Sequence, residues 1–184
     1  MSDFEFQPVT AENWPDLAQF FEQHGNPNYC WCMRWRLRSG EYSAVRSSDR
    51  RSKLETMVRE GTPIGVLAFH EGTTVGWCSI APRETYIGLE RSRILKRLDD
   101  RPVWSVVCFF IDSKYRHQGL ASRMLKAAVS YAASQGAAIV EGYPVEPDKS
   151  YRFMGSPAAF ESVGFQQAGT ATNGRIIMRI ETTK

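Results

Sequence analysis

The sequence predicts an α+β fold: a mixed central sheet of about seven strands with helices on both faces, in a single domain spanning 1–184. Two observations carry this expectation. The apolar runs "WSVVCFFI" (104–111) and "AAIVEGY" (137–143) flank an amphipathic helix, a β-α-β unit whose strands, 104–111 and 138–143, are parallel with a right-handed crossover. Elsewhere, at 63–82 and 164–181, strand-like runs are separated only by short polar turns, which requires antiparallel hairpins.

In chain order, "FEFQPVT" (4–10) reads as a strand and "AENWPDLAQFFEQH" (11–24) as a helix whose inner face carries Leu17, Phe20 and Phe21. Residues 25–40, "GNPNYCWCMRWRLRSG", have turn formers at both ends and form a connector. Within it "MRWRLR" (33–38) alternates, so an extended chain would put Met33, Trp35 and Leu37 on one side and Arg34, Arg36 and Arg38 on a solvated other. A second helix, 44–60, stops at Gly61, and "PIGVLAFH", "EGTT", "VGWCSIAP" give the first hairpin. Ile94, Leu95 and Leu98 among Arg91, Arg93, Lys96 and Arg97 suggest a short basic helix within 83–101. Strand 104–111 is apolar on both faces, as a covered strand must be. The next helix carries Met124, Ala127, Ala128 and Tyr131 on one side and ends near Gly136. "SPAAFESVGF" opens a helix with Ser156 as N-cap and Pro157 at the first helical position, and a second hairpin closes the chain.

Composition narrows the function. The formal charge of +3, from 23 Lys+Arg against 20 Asp+Glu, is too mild to announce a nucleic acid or an anionic membrane and suits a small anionic ligand. The N-terminus has neither a basic nor an apolar leader-like stretch, so the expected location is cytoplasmic. Cys30, Cys32, Cys78 and Cys108 are then expected to be reduced. "CWC" is too tightly spaced for a zinc knuckle, so no metal is expected.

The chemistry concentrates in "DSKYRHQGLASRML" (112–125), where a strand passes straight into a helix. A helix N-terminus offers unpaired N–H groups and partial positive charge to an anion. Gly119 lets backbone approach a ligand, Ala121 keeps the next approach point small, and Arg116 and Arg123 supply cations. The loop lacks the Gly-Lys-Ser/Thr of a Walker loop and the three glycines of a dinucleotide fingerprint.

Arg-x-x-Gly-x-Ala at 116–121, between an apolar strand and an amphipathic helix, resembles the acyl-CoA loop of the GNAT superfamily of N-acyltransferases. The similarity runs through the element order to "FESVGF" (160–165). The resemblance implies that the two parallel strands splay apart and that acetyl-CoA is the co-substrate. Its pantetheine arm would lie along Phe109, Phe110 and Ile111, and its pyrophosphate on Arg116, His117, Gln118, Gly119, Leu120 and Ala121, with Arg123 nearby. An acetyl group would then pass directly to a primary amine on a small-molecule or peptide acceptor. Homodimers are common in the superfamily. Phe160 stands where many members have a Tyr acid, Phe153 where an Asn often contacts the cofactor, and Ser105 where some carry a Glu base.

With the usual acid and base missing, Glu141 is the candidate base, because a carboxylate interrupting a buried strand has its pKa raised by desolvation. The other reading is a strand-end carboxylate facing water or an Arg; Glu84 and Asp112 are weaker candidates. Ser156, one turn before Phe160, is the candidate group to assist the leaving thiolate, against its plainer role as a cap, with Tyr151 next in line. Tyr29, Trp31, Trp35 and Arg36 are candidate acceptor-binding residues, against a reading in which the aromatics are core. A catalytically silent acyl-CoA-binding module is the alternative function, and nucleic-acid binding by the arginines of 33–38 and 83–101 is a more distant one.

Overall fold

The computed structural model describes residues 4–146 and 152–182. Seven strands form one sheet: β1 (Phe4–Pro8), β2 (Gly65–His70), β3 (Thr73–Pro82), β4 (Trp104–Ile111), β5 (Ile139–Gly142), β6 (Gln166–Thr170) and β7 (Ile176–Glu181), in the order β1-β2-β3-β4-β5-β7-β6. Every neighbouring pair is antiparallel except β4 and β5, which are parallel. That pair is joined through the helix Leu120–Ser134 (below, α6), as the two apolar runs required. The turn between β2 and β3 is Glu71-Gly72, with φ of 49° and 73°, the doubly left-handed geometry that matches hairpin twist.

The helices are α1 (Trp14–Glu22), α2 (Gly25–Cys30), α3 (Ser39–Ala44), α4 (Ser47–Arg59), α5 (Ile87–Glu90), α6 (Leu120–Ser134) and α7 (Pro157–Val163). On one sheet face, Met124, Leu125 and Ala128 of α6 and Phe160 of α7 pack against Val66, Cys78, Val106 and Phe109. On the other, Leu17, Phe20 and Phe21 of α1 join Trp31, Met33, Leu54, Trp77 and Phe110. Tyr86, Leu89, Leu95 and Tyr143 build a third cluster under the segment that follows β3.

Two stretches differ from expectation. Residues 33–38 are not an extended strand with a solvated arginine face. Trp31 and Cys32 are both left-handed, with φ of 47° and 51°, and Met33 O then accepts the N–H groups of Arg36 and Leu37, each at 3.1 Å. The chain coils, so Arg36 turns inward and is 3% exposed while Arg38 faces water. The basic helix expected around 94–98 is also missing. The Ser92 hydroxyl oxygen takes the N–H groups of Ile94 and Leu95 at 3.3 and 2.9 Å, the local bonding by which Ser competes with a helix. The Leu95 carbonyl is committed to Arg83 Nη2 at 2.6 Å.

Gly142 marks the end of the parallel pairing. A Cβ there would stand 2.0 Å from Cε1 of the buried Phe160 ring. Gly142→Ala should therefore overpack the junction and destabilise the protein by about 1–3 kcal/mol, read as a lower urea midpoint at unchanged slope. An unchanged midpoint would mean that the ring has room to move.

Candidate active site

The ladder between β4 and β5 has three rungs, Trp104↔Val140, Ser105↔Glu141 and Val106↔Gly142, while β4 continues to Ile111. The strands part at Gly142, where Phe160 fills the notch on the α7 side, edge-on to Phe109 at 6.2 Å between ring centroids. The gap opens beside residues 107–111.

The loop 112–119 leads from β4 into α6. Asp112 Oδ1 accepts the Lys114 N–H at 3.0 Å, which with the charge of nearby His24 holds its carboxyl below the ordinary range. His117 and Gly119 are left-handed, with φ of 59° and 74°. Gly119 is the residue capping α6, and an added Cβ would meet nothing within 4 Å, so the helix end faces open space. Arg116, His117 and Gln118 are exposed, Ala121 is half-buried and Leu120 is anchored in the core. Arg116 Nε donates to the Ile111 carbonyl at 3.0 Å. Arg123 lies over the rings of Phe4 and Phe6, at 4.9 and 5.8 Å from their centroids.

Across β4 from α6 lies a pocket of about 160 Å³. Phe21, Trp77 and Phe110 are among its inner walls; Tyr29, Trp35, Tyr42 and Phe153 add further aromatic rings; Cys30, Cys32 and Cys108 also line it. Arg50, buried in α4, donates to the carbonyls of Tyr29 and Tyr42 at 2.9 and 2.7 Å and lies over both rings. It ties α2 and α3 together and thereby sets the wall.

Of the acceptor-binding candidates, Tyr29 and Trp35 line this pocket, whereas Trp31 and Arg36 do not. Trp31 is core. Arg36 donates to Ile64 O at 3.2 Å and to the Tyr86 hydroxyl at 3.3 Å. Residues 83–101 are also absent from the wall.

Glu141 is 1% exposed and both its oxygens are engaged. Oε1 accepts from Arg83 Nη1 at 2.9 Å and the Tyr143 hydroxyl at 2.5 Å, and Oε2 accepts from Arg179 Nε at 2.7 Å. Arg83 also bonds Glu90 at 2.6 Å, and Arg179 bonds Asp99 at 2.7 and 3.2 Å. Ser105 completes the cluster through the Tyr143 hydroxyl at 2.8 Å. Glu84 is exposed and does not line the pocket. Ser156 caps α7, its Oγ accepting the Ala159 N–H at 3.3 Å. Ser156→Ala should cost about 1 kcal/mol of stability, and a thermal melt checks this. Tyr151 lies outside the described residues.

Among the described residues no carboxylate or imidazole lines the pocket, and the protonatable groups that do, besides Arg34, are Tyr29, Tyr42 and the three thiols. Cys32 differs from the others. A hydrogen bond from Cys108, then bonds from Trp77 Nε1 at 3.3 Å and from Ser79, with the Arg36 charge, bring its thiol below the ordinary value despite burial. Cys108 is raised, chiefly because it donates to Cys32, and burial raises Cys30 to about 12. Sequence reasoning expected the four cysteines only to be reduced and missed this cluster, although the closely spaced "CWC" was a signal. Among the described residues no group of His, Cys, Asp and Glu could hold a metal ion, and no helix is long and apolar enough to cross a membrane.

An open parallel pair, a left-handed loop entering a helix and a pocket across the strand meet around the C-terminal half of β4. The acetyltransferase (GNAT) family model matches residues 6–152, and the chain belongs to that family. Among solved structures it is similar to the ribosomal-protein-S18-alanine N-acetyltransferase from Escherichia coli, at 16% identity and TM-score 0.53 over 99% of this chain and 96% of that one. It is also similar to an aminoglycoside N-acetyltransferase in complex with CoA, at 13% identity and TM-score 0.59 over 92% and 91%. A third is the PaiA N-acetyltransferase from Thermoplasma acidophilum in complex with coenzyme A, at 13% identity and TM-score 0.55 over 97% and 99%. At these identities the likeness is one of fold. No curated protein matches the chain at a significant level.

Proposed function

We propose that the protein transfers an acetyl group from acetyl-CoA to a primary amine whose body is apolar or aromatic. The observation that carries this reading is the opening of the sheet after Val106 and Gly142, with the α6 loop at its end and the aromatic pocket across it. The amides of 116–121 and the Arg116 side chain would hold the pyrophosphate, and the edge of β4 at 109–111 the pantetheine. Positioning the thioester beside the amine supplies much of the rate. A polycationic acceptor is disfavoured, since among the described residues the pocket wall holds aromatic rings, thiols and Arg34 but no carboxylate.

Glu141 is better suited to anchoring than to taking a proton, because each oxygen already accepts from an arginine. The Ser156 cap uses an oxygen lone pair and leaves the hydroxyl proton free to meet a departing thiolate. Ser156→Asp, which keeps a cap but adds negative charge, should slow turnover if that contact is made.

A panel of amines, assayed for CoA release and for acetylated product by mass spectrometry, tests the function. Turnover is expected with arylalkyl amines and not with polyamines, and Trp35→Ala should raise the acceptor's KM more than that of acetyl-CoA. Acetyl-CoA binding without turnover on any amine would favour the silent binding module, for which Phe160 in place of a Tyr speaks.

A further inference from the structure

The aromatic pocket carries positive charge that its wall does not balance. Arg34 lines it and is half-buried. Its guanidinium lies over the rings of Trp35 and Tyr42, at 5.8 and 5.5 Å from their centroids, within reach of cation–π attraction. Contact with a ring face holds a guanidinium without using up the N–H fork that fits a carboxylate. A second cation stands behind the same wall. Arg50 is 3% exposed and lies over the Tyr42 ring at 4.1 Å. Its bonds go to the carbonyls of Tyr29 and Tyr42, and its Nε is buried without a partner. Neither arginine has a carboxylate in ion-pair range among the described residues; the acidic neighbours Glu22, Glu41 and Asp49 pair instead with Arg51, Lys53 and Arg46. Charge withdrawn from water without a counter-ion is costly. An anion that enters with the substrate is therefore held more strongly here than on an open surface.

The backbone that presents Arg34 is fixed. The Gly88 N–H donates to Trp35 O at 2.8 Å, and a Cβ on Gly88 would stand 2.6 Å from Leu37 O and 3.3 Å from Arg34 O. So close an approach pins the coil 34–37 against the segment that follows β3.

We propose that the acceptor is an aromatic amino acid with a free carboxylate, bound by a charge-assisted pair between that carboxylate and Arg34. This rests on the acetyl-CoA reading above and narrows its acceptor. The substrate ring lies among Trp35, Tyr42 and Phe110, and its amine faces Val107 and Cys108, the first residues of β4 beyond its last rung with β5. The nitrogen attacks the acetyl carbonyl directly: the N–C bond forms, the bond from carbon to the CoA sulfur breaks, CoA leaves as a thiolate and the nitrogen's proton passes to solvent. Arg34 takes no part in these steps; it selects the substrate and orients it.

The test compares matched substrates on the full-length protein with saturating acetyl-CoA, phenylalanine against phenethylamine and tryptophan against tryptamine, read as acetylated product by mass spectrometry. The carboxylated member of each pair is expected to have the higher kcat/KM, by about ten- to a hundredfold, the worth of a hydrogen bond to a charged group. Arg34→Gln should erase that preference by raising the amino acid's KM, and Arg34→Lys, which keeps the charge but not the fork, should restore part of it. Phenylalanine methyl ester should behave like phenethylamine on the wild-type protein, which keeps the comparison decisive even if a variant misfolds. Equal kcat/KM within each pair, or a preference that survives Arg34→Gln, would overturn the carboxylate pairing and leave the acetyl-CoA reading standing. A wild-type protein that calorimetry shows not to bind acetyl-CoA would overturn both.

Discussion

Glu141→Ala is expected to destabilise the protein by about 3–5 kcal/mol, because it removes from a buried cluster the anion that two guanidiniums share. For a chain of this length that is a fall of roughly 6–20 °C in thermal midpoint. Arg83, 1% exposed, would keep Glu90 and the Leu95 carbonyl but lose the partner at 2.9 Å. Arg179 would swing toward Asp99 alone. The loss would be felt far along the chain, since the cluster joins the end of β3, the segment 90–99, β5 and β7. Glu141→Gln should lose less, as an amide oxygen can still accept from one arginine. Urea melts with rates normalised to folded protein separate the two roles. An anchor gives a large stability loss with the residual folded molecules active, and a base gives the reverse. A melt unchanged in Glu141→Ala would sink the anchor.

The same cluster should resist moderate acid. Hydrogen bonds from Arg179, then Arg101, hold the Asp99 carboxyl well below its usual value in the folded protein. A carboxylate depressed on folding contributes stability above its unfolded pKa, and that contribution fades only as pH falls through the folded one.

The β-α-β unit was legible because burial of β4 on two faces leaves a nearly unbroken apolar run at 104–111, and the hairpins because short polar turns separate strand-like runs. Ser156 and Pro157 marked a helix start for equally local reasons. The segment 33–38 was not legible. Alternation of apolar and basic residues reads as a strand, but the coil is imposed by Trp31 and Cys32 in left-handed conformations and by a buried binding place for Arg36 made from Ile64 and Tyr86. Those partners are 28 and 50 positions away. Glu141 shows the same limit from the other side. A carboxylate in an apolar strand drew notice correctly, yet its arginine partners lie 58 and 38 positions off, and only they distinguish an anchor from a base. The thiol cluster likewise depends on Cys108, which is unremarkable in its own strand and significant only opposite Cys32.

Gly119→Val is expected to abolish acetyl-CoA binding while leaving the protein folded. Gly119 has a φ of 74° and caps α6, and a left-handed L-residue costs about 1–2 kcal/mol, an amount a domain of this size tolerates. An added Cβ meets no protein atom within 4 Å, so the native packing need not move. The same open space is where an anion would approach the first amides of a fifteen-residue helix. A branched side chain there would fill the approach and press the loop away from the left-handed turn that aims those amides. Arg116→Ala should weaken binding without abolishing it, since it removes one cation but no amide. Calorimetry with acetyl-CoA, set beside circular dichroism of the same samples, makes the comparison. If Gly119→Val binds with the wild-type affinity, the pyrophosphate lies elsewhere and the reading of residues 116–121 falls with it.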